Sequence, residues 1–260
     1  MKHYVIAGLL LFYGADALAD SQAVQETTFQ TGFASGDTYT SGGSDSSTYG
    51  INGGVTFPLA TYVGASLSGA YAHSNLATNF SSETHSLGPA NTLPACSINH
   101  GNLDAGLFLR NPTIGKVGIG YGVGRARSGC SATFLATGTD TLETKNYTAN
   151  AEYYFSKMTI AVAGTRTHLD AAGNLNSDTL TASWYSTNNV RVALSADGLD
   201  FKNTYSLGLE YQPEFLENST SLLFGYTTQR QTIETRSIMV GFSYYFDKRV
   251  DLITRDRQYR

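Results

Sequence analysis

Large apolar residues fall at every second position over residues 237–246: Ile238, Val240, Phe242, Tyr244 and Phe246. Ser237, Met239, Gly241, Ser243 and Tyr245 lie between them. A strand sends successive side chains to opposite faces, so this segment has one apolar face and one small, permissive face. The alternation recurs along the chain. Phe29, Thr31 and Phe33 mark a weak first strand, and Tyr49, Ile51, Gly53, Val55 and Phe57 a second. Val63, Ala65, Leu67, Gly69 and Tyr71 follow, then Leu103, Ala105, Leu107 and Leu109, then Val117, Ile119, Tyr121 and Val123. In the second half the apolar sets run through Tyr147–Ala149–Ala151–Tyr153–Phe155, Met158–Ile160–Val162, Leu180–Ala182–Trp184, Val190–Val192–Leu194, Tyr205–Leu207–Leu209–Tyr211 and Leu222–Phe224–Tyr226. The pattern predicts an all-β chain of about twelve strands, with ten or fourteen as neighbouring counts.

The connections alternate as well. Short turns are expected at Pro58, Asn111, Ser156 and Asn188, and longer loops over 35–46, 73–99 and 128–142, with a moderate one over 170–178. The connection 212–218 departs from this scheme, being longer than its neighbours near Asp200 and Gln231. Aromatics gather at the two ends: Phe57, Phe155, Trp184, Tyr211, Tyr244 and Phe246 near the short turns, and Tyr49, Tyr71, Tyr147, Tyr205 and Tyr226 near the loops. Two outward aromatic belts are what membrane interfaces select. The closing strand, ended by Phe246, and the alternation before it resemble the Gram-negative outer-membrane β-barrels, the porin-like class, over nearly the whole mature chain. No particular family within that class is distinguished. The resemblance implies an antiparallel transmembrane up-and-down barrel with periplasmic turns and extracellular loops.

The N-terminus fits an exported protein. Lys2 and His3 precede an apolar run over 5–13 and then Ala17-Leu18-Ala19, which reads as a signal peptide over 1–19 cut after Ala19. That leaves a barrel over 20–246 and a charged, periplasmic tail over 247–260. Mean hydropathy is only -0.18, which a barrel tolerates because lumen-facing polar residues dilute the lipid-facing ones. The net charge of -4 argues against a nucleic-acid partner. The two cysteines, Cys96 and Cys130, are expected to pair as a disulfide in an oxidising compartment.

Candidate chemistry is sparse. A barrel hydrolase needs a base two residues from a nucleophilic serine on one face, and the chain has no His-x-Ser; His73 and His85 each precede a serine directly. His73, His100 and His168 fall near loop-side strand ends, with His85 in a loop, and Asp170 near His168 is a weak echo of a protease-type cluster. Gly118, Gly120, Gly122 and Gly124 recur with period two, so they share one strand face rather than forming a phosphate loop. Asp170, Asn174, Asn176 and Asp178 read as an oxygen-rich loop without the EF-hand pattern. No catalytic residue, metal site or cofactor is expected.

The inward set says more. Asn52, Thr56, Ser66, Ser68, Asn150, Thr181, Ser195, Ser206 and Ser243 are small and polar, a lining that leaves a narrow wet lumen. Asp104, Arg110, Lys116, Glu152, Arg191, Asp197 and Glu210 are the inward charges, expected to brace the wall and to form a mixed-sign constriction. Arg125 and Arg127 share an outward face at lipopolysaccharide height, where Arg suits phosphate oxygens. The sequence thus points to a monomeric outer-membrane channel for passive diffusion of small hydrophilic solutes or ions, in contact with lipid and lipopolysaccharide. A non-conducting surface protein binding through its loops is the rival, and a membrane-embedded hydrolase the third reading.

Overall fold

The structure, a computed structural model, describes residues 23–41, 45–76, 96–129, 140–170, 173–197, 204–230, 234–246 and 249–259. The strands are β1 (Thr28–Thr40), β2 (Ser46–Ala60), β3 (Val63–Leu76), β4 (Cys96–Asn111), β5 (Gly115–Ser128) and β6 (Thr141–Tyr154). The second half supplies β7 (Met158–Leu169), β8 (Gly173–Thr187), β9 (Val190–Asp197), β10 (Thr204–Tyr211), β11 (Thr220–Arg230) and β12 (Glu234–Tyr245). Each pairs antiparallel with its sequence neighbours, and β1 pairs with β12 to close the barrel. Closure leaves no unpaired edge, the condition for strands to cross hydrocarbon. At the seam Phe33 faces Phe242, their rings 6.2 Å apart on the outer surface.

The apolar set of each strand points outward. Ile119 is 67% exposed, and Ile51, Leu103, Leu107, Leu194 and Val240 are also open. A water-soluble fold would bury such residues; an outward apolar face is what a membrane-spanning barrel presents to lipid. Tyr153, Phe155, Trp184, Tyr211, Tyr244 and Phe246 ring the short-turn end, and Tyr39, Tyr49, Tyr71, Tyr121, Tyr147 and Tyr205 lie towards the loops.

Several strands run further than their apolar alternation. β1 continues past Phe33 to Thr40, which shortens the expected 35–46 loop. The expected 170–178 loop is mostly strand: Asn174, Asn176 and Asp178 lie on β8, opposite His168, Arg166 and Gly164. Above the lipid the outward face needs no apolar residues, so the hairpin continues while its hydrophobic signal stops. The oxygen-rich loop considered for calcium therefore does not exist as a loop.

The connection 212–218 holds a 3-10 turn, Glu214–Leu216, followed by Glu217 and Asn218 at φ 54° and 58°. The tail is not a free extension. Residues Leu252–Gln258 form helix α1, started by Asp251, whose Oδ1 accepts the Thr254 N–H at 3.0 Å. Leu252 is fully buried. The N-terminal segment lies beside it, with Ala23 N donating to Thr61 O at 2.6 Å and Gln25 N to Gln258 O at 3.2 Å.

Candidate functional site: the lumen and its occupied mouth

The inner wall is built from small polar residues that satisfy one another across strands. Hydroxyl pairs Thr38–Ser237, Thr48–Ser74, Thr181–Ser195 and Ser206–Thr227 lie at 2.8 to 2.9 Å. Along the middle of β5 the inward positions 118, 120, 122 and 124 are glycine, and the space they leave is used. A Cβ at Gly122 would collide with the Asp104 carboxylate, and one at Gly124 or Gly118 would press on Thr144 Oγ1 or Asn150 Oδ1. The result is a cavity of about 260 Å³ against β2 to β6, bordered by Thr56, Ser66, Ser68, Asp104, Thr148 and Asn150.

At the short-turn mouth the lining changes. Phe108, Tyr154, Tyr185 and Tyr245 are inward and buried, large side chains where the rest of the face is small. They surround α1. Arg191 reaches Glu210 Oε2 at 2.6 Å through Nη2 and Asp256 Oδ2 at 2.9 Å through Nη1. The Tyr185 hydroxyl donates to the same Asp256 oxygen at 2.5 Å, and the Tyr245 hydroxyl to Glu210 Oε1 at 3.3 Å. The Arg255 guanidinium lies 3.8 Å over the Tyr245 ring and donates to Asn218 O at 2.9 Å. Arg257 stacks over Tyr154 and donates to the carbonyls of Phe155 and Met158. Ile253 N donates to Asn188 O, and Thr28 Oγ1 to Tyr259 O. These partners come from β1, β6, β7, β8, β9, β12 and three of the turns, so the helix is tied across the mouth.

The inward charges fall into two groups. Arg110, Lys116, Glu152, Arg191 and Glu210 belong to the mouth. Lys116 pairs with Glu152 at 2.6 Å, and Arg110 lies over the Phe108 ring and donates to Ala23 O at 3.3 Å. Asp104 sits halfway up the wall, and Asp197 at the loop end of β9. Arg125 is directly opposite Glu143, while Arg127 lies 3.7 Å from Asp140 with both exposed. Cys96 opens β4; Cys130 and His85 lie outside the described residues. His73 hydrogen-bonds Asn99 and packs on Tyr49, and His168 contacts Asn174 and Asp170. Among the described residues no three His, Cys, Asp or Glu side chains are placed to hold a metal.

Sequence reasoning missed Arg255, Asp256 and Arg257 as parts of the interior. A signal was present: Phe108, Tyr154, Tyr185 and Tyr245 break the small-inward pattern, all next to short turns.

The closed twelve-strand wall, the outward aromatic girdles and the polar interior have the fold of the outer-membrane β-barrels. Solved structures of that class share its fold. An outer-membrane channel from Pseudomonas putida F1 superposes with a TM-score of 0.58 at 10% identity, over 88% of this chain and 99% of that one. The translocator domain of the autotransporter NalP from Neisseria meningitidis gives 0.51 at 15% identity, over 93% and 95%. The KdgM porin, solved in complex with disordered oligogalacturonate, gives 0.51 at 8% identity, over 85% and 99%. No protein-family description and no curated protein matches the sequence. At these identities the likeness is one of fold.

Proposed function

We propose that the chain is an outer-membrane channel through which small hydrophilic solutes or ions diffuse passively, its short-turn mouth closed by its own C-terminal helix. One observation carries this reading: among the described residues the wall is mostly small and polar along the barrel's middle, and the large buried inward side chains gather at the short-turn mouth, where α1 docks. A barrel serving only as a scaffold for surface loops gains nothing from an open interior with a separate closure. That closure is polar. Asn189 Oδ1, Gln212 Oε1, Asn218 Oδ1 and Ser221 Oγ are buried at the mouth without a hydrogen-bond partner, a cost that water would relieve when the helix moves. The short turns and both described chain ends then face the periplasm, the loops face outside, and a single chain forms the pore. Arg125 and Arg127 lie at the height where lipopolysaccharide phosphates would meet them.

Planar-bilayer recording tests the reading. Asp256→Ala removes the shared partner of Tyr185 and Arg191 while leaving every strand intact, so conducting events should become several-fold more frequent than in the wild type. Silence from both proteins would remove the channel. The loop-borne surface function, which an occupied mouth also suits, would then be the better account.

A further inference from the structure

The lumen beyond α1 carries its charge unevenly. Lys116 is taken up by Glu152, and Arg191 by Glu210 and Asp256. Asp104 and Asp197 are inward carboxylates outside any ion pair among the described residues. Asp197 stands at the loop end, opposite Thr179 and Thr204. Asp104 stands halfway down, opposite Ser68 and Gly122. A cation entering from the loops meets one carboxylate and then the other, between low-dielectric walls that strengthen the attraction.

The surroundings of Asp104 form a pocket rather than a bare charge. The Asn102 amide donates to Asp104 Oδ2, and the absent side chain of Gly122 gives Oδ1 its room. Ser66, Ser68 and Thr148 bring hydroxyls to the same 260 Å³ cavity. Asn150 borders it too, and its Oδ1 is a buried acceptor without a partner. Lys116 borders the cavity as well, but its ammonium is held by Glu152 at 2.6 Å, so the three charges together leave one net negative charge, that of Asp104. Acceptor oxygens around an otherwise unpaired carboxylate suit an ammonium with its three donors.

A sugar ring is the other solute such a wall could attract, and it would want an aromatic face to lie on. Among the described residues the inward phenyl and phenol rings are already covered: Phe108 by Arg110 and Lys116, Tyr154 and Tyr185 by Arg257, and Tyr245 by Arg255. The geometry points to a binding station for a small organic cation, an aliphatic amine, at Asp104. It rests on the channel reading for its supply of solute, though not for the binding itself.

Isothermal titration of the full-length protein in detergent at low salt tests it, with 1,4-diaminobutane as the probe. Wild type should take up the diamine, and Asp104→Asn, of nearly the same shape, should bind it at least about tenfold more weakly, as loss of a charge-assisted hydrogen bond requires. 1,4-Butanediol, equally long but uncharged, should not bind. No uptake by the wild type, equal affinity in Asp104→Asn, or equal binding of the diol would each overturn the station. Diamine binding that depends on Asp104, alongside silent bilayers, would uphold the station and remove the channel. Conduction without diamine binding would do the reverse.

Discussion

At the residue scale, two glycines of β5 face different neighbours and should answer differently to the same change. A Cβ at Gly115 would collide with the backbone carbonyl of Glu152, which cannot move without disturbing the β5–β6 ladder. Gly115→Ala should cost about 1–3 kcal/mol, the usual range for overpacking. At Gly122 the obstacle is the free end of the Asp104 side chain, which can swing into the lumen. Gly122→Ala should be close to neutral, because the entropy lost from the unfolded chain favours alanine by about 0.4–1 kcal/mol. Urea unfolding followed by Trp184, the one tryptophan, checks both; equal losses would mean the glycines serve only wall curvature. Alternation puts Asp104, Arg110, Lys116, Glu152, Arg191, Asp197 and Glu210 on the strand parity opposite the apolar set. Their partners are not legible from it. Arg191 reads as a pore charge in sequence, yet its Asp256 partner is 65 residues away on a tail that looks solvated.

At the element scale, alternation revealed a strand wherever lipid demands an apolar face and failed where the wall rises into water. Tyr71, Leu67 and Ala65 announce β3, but nothing in His73-Ser74-Asn75 does, although those residues pair with β2 and β4. Helix α1 was hidden for another reason. Seven residues with two apolar ones carry little helical periodicity, and its attachments are charges that would equally suit solvent. The β4–β5 hairpin carries a prediction. Its register sets Ile98 opposite Ser128, and Gly129 N donates to Ser97 O at 2.7 Å. Cys96 opens β4, and Cys130, next in sequence after Gly129, lies outside the described residues; a disulfide between them needs Cα atoms within about 7 Å. A Cys96–Cys130 bond would then staple the open end of the hairpin and stabilise it by about 3–4 kcal/mol. Thiol titration of the unfolded, unreduced protein should find no free sulfhydryl, and two would refute the bond.

At the scale of the whole molecule, the wall and its closure are built from different physics and should fail separately. The wall depends on backbone pairing closed through β1 and β12 and on an apolar surface suited to lipid. The closure depends on ion pairs and hydrogen bonds from α1 to groups at the mouth. Val240 lies in the middle of β12, facing outward, with Ser35 and Phe224 as its cross-strand partners. Val240→Arg puts a cation into hydrocarbon at a cost of about 2–4 kcal/mol at the midplane, so the folded, fast-migrating band on an unboiled gel should weaken or vanish. Deletion of residues 247–260 touches no strand pairing. It should leave that band in place while raising conductance above that of the wild type, and Glu210 would keep Arg191 as its ion-pair partner. A truncated chain that no longer shows the folded band would mean that α1 is needed to complete the wall rather than to close it. A folded truncated barrel that still does not conduct would place the barrier in the lumen or among the loops, and would deny the helix any gating role.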